Sequence, residues 1–229
     1  MEAKQRQGKT LKYLSIEPDG YDPNRRYPLV MLLHGFGASM ADLAGLTPVI
    51  DTQGYVYVCP NAPIEVQIGP GSAGYAWTPP RESATPEDIE RAEEMLAFHL
   101  EEVMSEYDVE PGQVILGGFS QGGMMTYRWG LTNPDMFQGL IVLSGSVPYP
   151  DTLRPRLPAD RTQTIFIAHG VNDPLISIED ARVARSFVEA EGYAPEYREY
   201  PMGHEISQAV LDDLVPWIHR VIPPCGSAT

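Results

Sequence analysis

Cysteine is scarce in this chain of 229 residues, which carries only Cys59 and Cys225. Two thiols so far apart supply neither a disulfide framework nor a metal-binding spacing. Positive charge is also short: 16 Lys and Arg face 31 Asp and Glu, for a net charge of −15. Neutralising nucleic-acid phosphates needs clustered cations, and an anionic lipid surface repels this balance, so neither is an expected partner. No stretch approaches the roughly 18 apolar residues of a membrane-spanning helix. Residues 1–9 are charged and lead into no apolar run, so no signal peptide is read. The expectation is a soluble protein in a reducing, cytoplasmic setting, with no stable membrane insertion. No His, Cys and carboxylate cluster has metal-ligand spacing.

Short apolar runs at 29–33, 55–59, 114–116, 140–143 and 165–168 are rich in branched residues. Continuous runs of this length suit strands buried on both faces of a mainly parallel sheet. Residues 12–16 and 196–200 are weaker and read as edges. Helical patterns alternate with the strands. Thr85-Pro86-Glu87-Asp88 offers a cap and a first-turn proline, and Ile89, Ala92, Leu96, Leu100, Val103 and Tyr107 then recur on one face. Further helices are expected from Gln121 to before Asn133-Pro134, over 177–191, and over 205–220, the last burying Ile206, Val210, Leu214 and Trp217. The pattern predicts one α/β domain over 1–229, with helices on both faces of the sheet.

Two proline-rich segments, 61–84 and 145–162, fit no element and are expected as loops over a functional site. Residues 87–110 hold ten carboxylates against Arg91 alone, which reads as a solvated helix surface.

The chemistry centres on Gly118-Phe119-Ser120-Gln121-Gly122, which directly follows the apolar strand. Strand, Gly-x-Ser-x-Gly and helix in succession form a nucleophile elbow, where the serine hydroxyl projects from a sharp turn. A serine hydroxyl needs a positioned base, which in this topology follows an acid later in the chain. Of five histidines, His34 and His99 precede Ser120; His34 reads as a loop stabiliser and His99 as structural. His169 ends a strand and His219 lies near a helix end. His204, between the last strand and the last helix, is the expected base. Asp173, just past a core strand and before Pro174, is the expected acid, with an Asp-Pro turn as the alternative reading. The backbone N–H of Gln121 and a second N–H from His34-Gly35-Phe36-Gly37 are the expected oxyanion donors. Tyr75 and Trp77 are expected as walls of a substrate pocket.

Taken together, His-Gly-Phe-Gly (34–37), Gly-Phe-Ser-Gln-Gly-Gly (118–123), Asp173-Pro174 and Gly203-His204 resemble the phospholipase/carboxylesterase family of the α/β-hydrolase fold. That family includes acyl-protein thioesterases and small bacterial carboxylesterases. The resemblance implies a Ser120–Asp173–His204 triad, oxyanion donors from Phe36 and Gln121, and no metal or organic cofactor. It implies a serine carboxylesterase acting on short- to medium-chain acyl esters, with lysophospholipase or acyl-protein thioesterase activity as the alternative. An apolar entrance could be shared between the subunits of a homodimer. A different class, a binding protein on a hydrolase scaffold, would be expected to lack a triad member, and none is missing.

Overall fold

The computed structural model describes residues 1–226. Its centre is a run of parallel strands: β3 (Leu29–Leu33), β4 (Val56–Pro60), β7 (Val114–Phe119), β8 (Phe137–Leu143), β9 (Thr164–Gly170) and β10 (Glu196–Tyr200). Two antiparallel strands, β1 (Glu2–Gln7) and β2 (Lys12–Glu17), complete a sheet of order β1-β2-β4-β3-β7-β8-β9-β10. β10 is an edge, as expected. β2 is not, because β1 covers it. The alternating charges of Glu2, Lys4 and Arg6 hid that strand, since an exposed edge buries little apolar surface.

Successive side chains of a strand point to opposite faces, so each strand feeds two cores. Leu29, Met31 and Leu33 join Val114, Leu116, Leu140, Val142, Ile165 and Ile167 on one face. There they meet α2 (Pro86–Tyr107) through Ile89, Leu96, Leu100 and Val103, and α5 (Ile178–Ala190) through Ala184, Phe187 and Val188. Val30, Leu32, Ile115, Ile141 and Phe166 face the other way, onto Val210, Leu214, Trp217 and Ile218 of α6 (Gln208–Val221). Full burial of one such side chain contributes roughly 1.5–3 kcal/mol. Ile206 lies before α6 and is only partly buried. The chain has the α/β-hydrolase fold.

α2 starts where the sequence places it. Thr85 Oγ1 accepts from the Asp88 N–H, the Asp88 carboxylate accepts from the Thr85 N–H, and Pro86 occupies the first turn. Such a cap contributes about 1 kcal/mol. The helix is not uniformly solvated. Glu93 is buried in an ion cluster, and Glu106 pairs with Arg6.

The two long segments are more structured than their prolines suggest. Residues 61–84 contain an antiparallel hairpin, β5 (Ile64–Gly69) with β6 (Ser72–Ala76), which is bridged to Ala38 through Tyr75. Residues 145–162 contain a short helix, α4 (Pro150–Leu153), and a 3₁₀ turn over Arg154–Arg156. Both prolines that begin these turns sit at early helical positions, where the missing N–H costs nothing.

Candidate active site

Parallel strands deliver their carboxyl ends to one edge of the sheet, and each candidate triad and oxyanion residue follows such an end. β3 leads into His34–Gly37, β7 into Ser120, β9 into Asp173, and β10 into His204. Ser120 adopts φ 55°, ψ −116°, a left-handed conformation that a non-glycine residue holds only under constraint. The constraint is close packing. A Cβ on Gly118 would lie 2.2 Å from the Gly122 carbonyl, and one on Gly122 would lie 2.0 Å from the Leu33 carbonyl oxygen. Only glycine lets the first turn of α3 (Gln121–Met125) press onto β3 and β7. The helix then widens into a π-helical turn over Thr126–Gly130.

Asp173 and His204 meet. His204 Nδ1 lies 2.7 Å from Asp173 Oδ2. The carboxylate can only accept, so Nδ1 carries the proton and Nε2 is left to receive one. The imidazole packs on Phe119, the residue that precedes Ser120 in the chain, with ring centroids 4.7 Å apart. Burial opposes ionisation of Asp173, but His204 and the backbone N–H groups of Ile176 and Leu175 outweigh it, holding the carboxyl below its usual range. The bonds from Leu175 and Ile176 make Asp173 a turn residue as well, and the His204 contact is what sets it apart from an ordinary Asp-Pro turn.

His169 contributes more than packing at the strand end. Its buried Nε2 lies 2.9 Å from the Ile176 carbonyl and 3.5 Å from Asp173 Oδ2. The carbonyl requires Nε2 to carry the hydrogen, so Asp173 stands between two imidazoles. His34 is a strut. Its Nδ1 donates to the Gly35 carbonyl at 2.7 Å, and its Nε2 accepts from the Ala62 N–H at 3.1 Å. Burial lowers its proton affinity, which keeps this two-sided arrangement intact. His219 sits at the far end of α6 against the Ile50 carbonyl, and His99 is enclosed beside Tyr13.

Ser120, Gln121 and Phe36 open onto a cavity of about 670 Å³, a volume typical of small-molecule sites. Its apolar lining includes Ile89, Met124, Val147, Tyr149 and Ile176, with Arg81 and Glu82 at hand. Phe36 is exposed there. Tyr75 and Trp77, expected as walls, do not line it. Trp77 is buried beneath, its Nε1 donating to the His34 carbonyl at 2.9 Å. Tyr75 is committed to the hairpin, its N–H donating to the Ala38 carbonyl and its carbonyl accepting from Gly37.

Gln121 has a side-chain role that sequence reasoning missed. Its Oε1 accepts from the Trp77 N–H at 2.8 Å, and its Nε2 donates to the Thr78 carbonyl and hydroxyl. The amide thus fastens the segment after β6 to the elbow. Its backbone N–H is the first of the helix and has no intrahelical partner. No group of three or more His, Cys, Asp or Glu among the described residues is arranged to hold a metal ion. No helix among them is long and apolar enough to cross a membrane.

The fold and this edge define an α/β hydrolase with a serine elbow. Residues 21–222 match the phospholipase/carboxylesterase family model, and the chain belongs to that family. It is 28% identical to acyl-protein thioesterase 1 of Mycosarcoma maydis, over 93% of this chain and 98% of that one. It is 31% identical to acyl-protein thioesterase 1 of Gibberella zeae, but there the match spans only about half of each protein, 51%. Among solved structures, esterase PE8 superposes with a TM-score of 0.80 over 96% of this chain and 100% of that one. At 23% identity this likeness speaks to fold alone.

Proposed function

We propose that this chain is a serine carboxylesterase that hydrolyses short- to medium-chain acyl esters through an acyl-enzyme. The observation that carries the reading is the 2.7 Å Asp173–His204 pair, whose imidazole packs on Phe119, the residue before a serine held at φ 55° on an apolar cavity. Ser120 Oγ attacks the ester carbonyl while His204 Nε2 takes its proton. The Phe36 and Gln121 N–H groups stabilise the oxyanion as it forms. His204 returns the proton to the leaving alcohol, Asp173 stabilising the imidazolium throughout. Water, deprotonated by His204, then releases the acid and restores Ser120.

The similarity to the thioesterase of M. maydis supports a second reading, hydrolysis of acyl thioesters. The same triad serves both bonds, so the ratio of kcat/KM for matched oxyesters and thioesters separates them. The primary test is turnover of p-nitrophenyl esters from acetyl to palmitoyl by wild type and Ser120→Ala. Wild-type turnover with a loss of ~10⁴-fold or more in the variant is expected. A folded wild type that turns over none of them would favour a binding protein on this scaffold.

A further inference from the structure

Tyr149 joins the two segments that flank the cavity, and its backbone is strained. It adopts φ 47°, ψ 61°, a left-handed conformation that a bulky residue takes only when its surroundings impose it. The imposition comes from Arg128, whose side chain is fully buried. Arg128 Nη1 donates to the Tyr149 carbonyl at 3.2 Å and to Thr152 Oγ1 at 2.8 Å. The same carbonyl accepts from the Thr152 and Leu153 N–H groups and so begins α4. Arg128 is itself held by Glu93 of α2, 3.4 Å from its Nε, and the other Glu93 oxygen takes Arg156. A guanidinium this deep is costly to bury unless its geometry is specified by partners on several elements. Here Arg128 comes from the helical turn that follows α3, and its partners lie on α2 and on the 149–152 segment.

The other end of Tyr149 crosses the cavity wall. Its phenol hydroxyl donates to the Ala84 carbonyl, on the segment that also contributes Thr78, Pro80 and Arg81 to the lining. The residue is therefore a crossbar with one end fixed by a buried ion cluster and the other hooked to the opposite wall. Its position on the lining means that the ring occupies space a substrate chain would otherwise enter.

We propose that Tyr149, positioned by Arg128, sets the length of hydrocarbon chain that the cavity accepts. The inference rests on the esterase reading for its kinetic consequence, but not for its binding consequence. A tyrosine that only packs would alter stability and leave chain-length preference where it was.

The test uses Tyr149→Phe, which keeps the ring and removes the hook, and Tyr149→Gly, which removes the ring and accepts positive φ without strain. Kinetics with the acetyl-to-palmitoyl ester series read the preference as a ratio within each protein, so that a loss of activity common to all chain lengths cancels. In Tyr149→Gly the ratio of kcat/KM for dodecanoyl to acetyl ester should rise ~10-fold, with a smaller rise in Tyr149→Phe. Calorimetric titration with C4 to C16 carboxylic acids, on Ser120→Ala with and without Tyr149→Gly, reads the same preference without turnover. The preferred acid should lengthen when the ring is removed. Absence of turnover in wild type, with this shift in binding present, would sink the esterase reading and keep the crossbar. An unchanged chain-length profile in folded Tyr149→Gly, in both measurements, would overturn the inference.

Discussion

His204 and His99 are the same residue in opposite circumstances. His204 stands at the carboxyl edge of the sheet with a carboxylate on one nitrogen and part of its ring exposed. His99 lies on the inner face of α2, fully buried, with neither nitrogen hydrogen-bonded among the described residues. Burial drives its pKa down to about 4, because the charged form would lose its hydration and the Glu102 carboxylate offsets only part of that loss. At the edge, the fold pairs an ionisable group and leaves one nitrogen for chemistry. On the flank, it simply tolerates one in its neutral form. Position relative to the strand ends, rather than residue type, separates a candidate base from a filler of the core.

The pairing side of this contrast should break most severely. If the proposed mechanism holds, Asp173→Asn preserves shape but removes the charge that would stabilise a His204 imidazolium. A fall in kcat of about 10⁴-fold is expected, with near-UV circular dichroism unchanged. A decrease below tenfold would mean that the 2.7 Å pair has no part in the chemistry.

The unpaired side should appear in stability rather than activity. The unfolded chain protonates His99 near pH 6.5 and the folded chain near 4, so the unfolded state binds more protons between those values. This contribution is fully present above pH 6.5 and is lost as pH falls towards 4, on the order of 3 kcal/mol in total. Urea unfolding at pH 7.5 and 4.5 should show that loss in wild type and a correspondingly smaller one in His99→Phe. Equal pH dependence in the two proteins would refute the assignment.

A smaller loss is expected from the side chain that follows Ser120. Gln121→Leu strips the acceptor from the buried Trp77 N–H and releases Thr78. An unsatisfied buried donor costs about 1–3 kcal/mol. Thermal unfolding should register that loss, while labelling of Ser120 by a fluorophosphonate probe should persist. No change in stability would show that the amide contacts are replaced by water at no cost.

Much of the scaffold was legible because burial on both faces writes continuous branched runs into β3, β7, β8 and β9. The elbow was legible because its two glycines serve a backbone approach that no other residue permits. Chain order then located the loops on which Asp173 and His204 sit. β1 escaped because an edge strand with charged alternation resembles a polar tail. The β5–β6 hairpin escaped because Pro63 and Pro70 flank its strands and mimic an unstructured loop. Trp77 was misplaced because an aromatic in a loop reads the same whether it faces a cavity or the core beneath it.

The features legible in the residues alone are therefore local: strand, elbow, cap and the order in which candidate site residues emerge from a parallel sheet. Each depends on periodicity or on steric limits within a few neighbouring residues. Packing of distant elements is what makes Gln121 hold Trp77 and Thr78, sets His169 behind Asp173, and brings Arg128 to Tyr149. Gln121 and Arg128 meet their partners across tens of residues, and the hydroxyl of Tyr149 meets Ala84 across 65. His169 and Asp173 are close in sequence, but the turn that aims one at the other is made by the chain folding back through Ile176. Side-chain hydrogen bonds of this kind leave no period in the sequence, because their geometry exists only after the elements that carry them have packed.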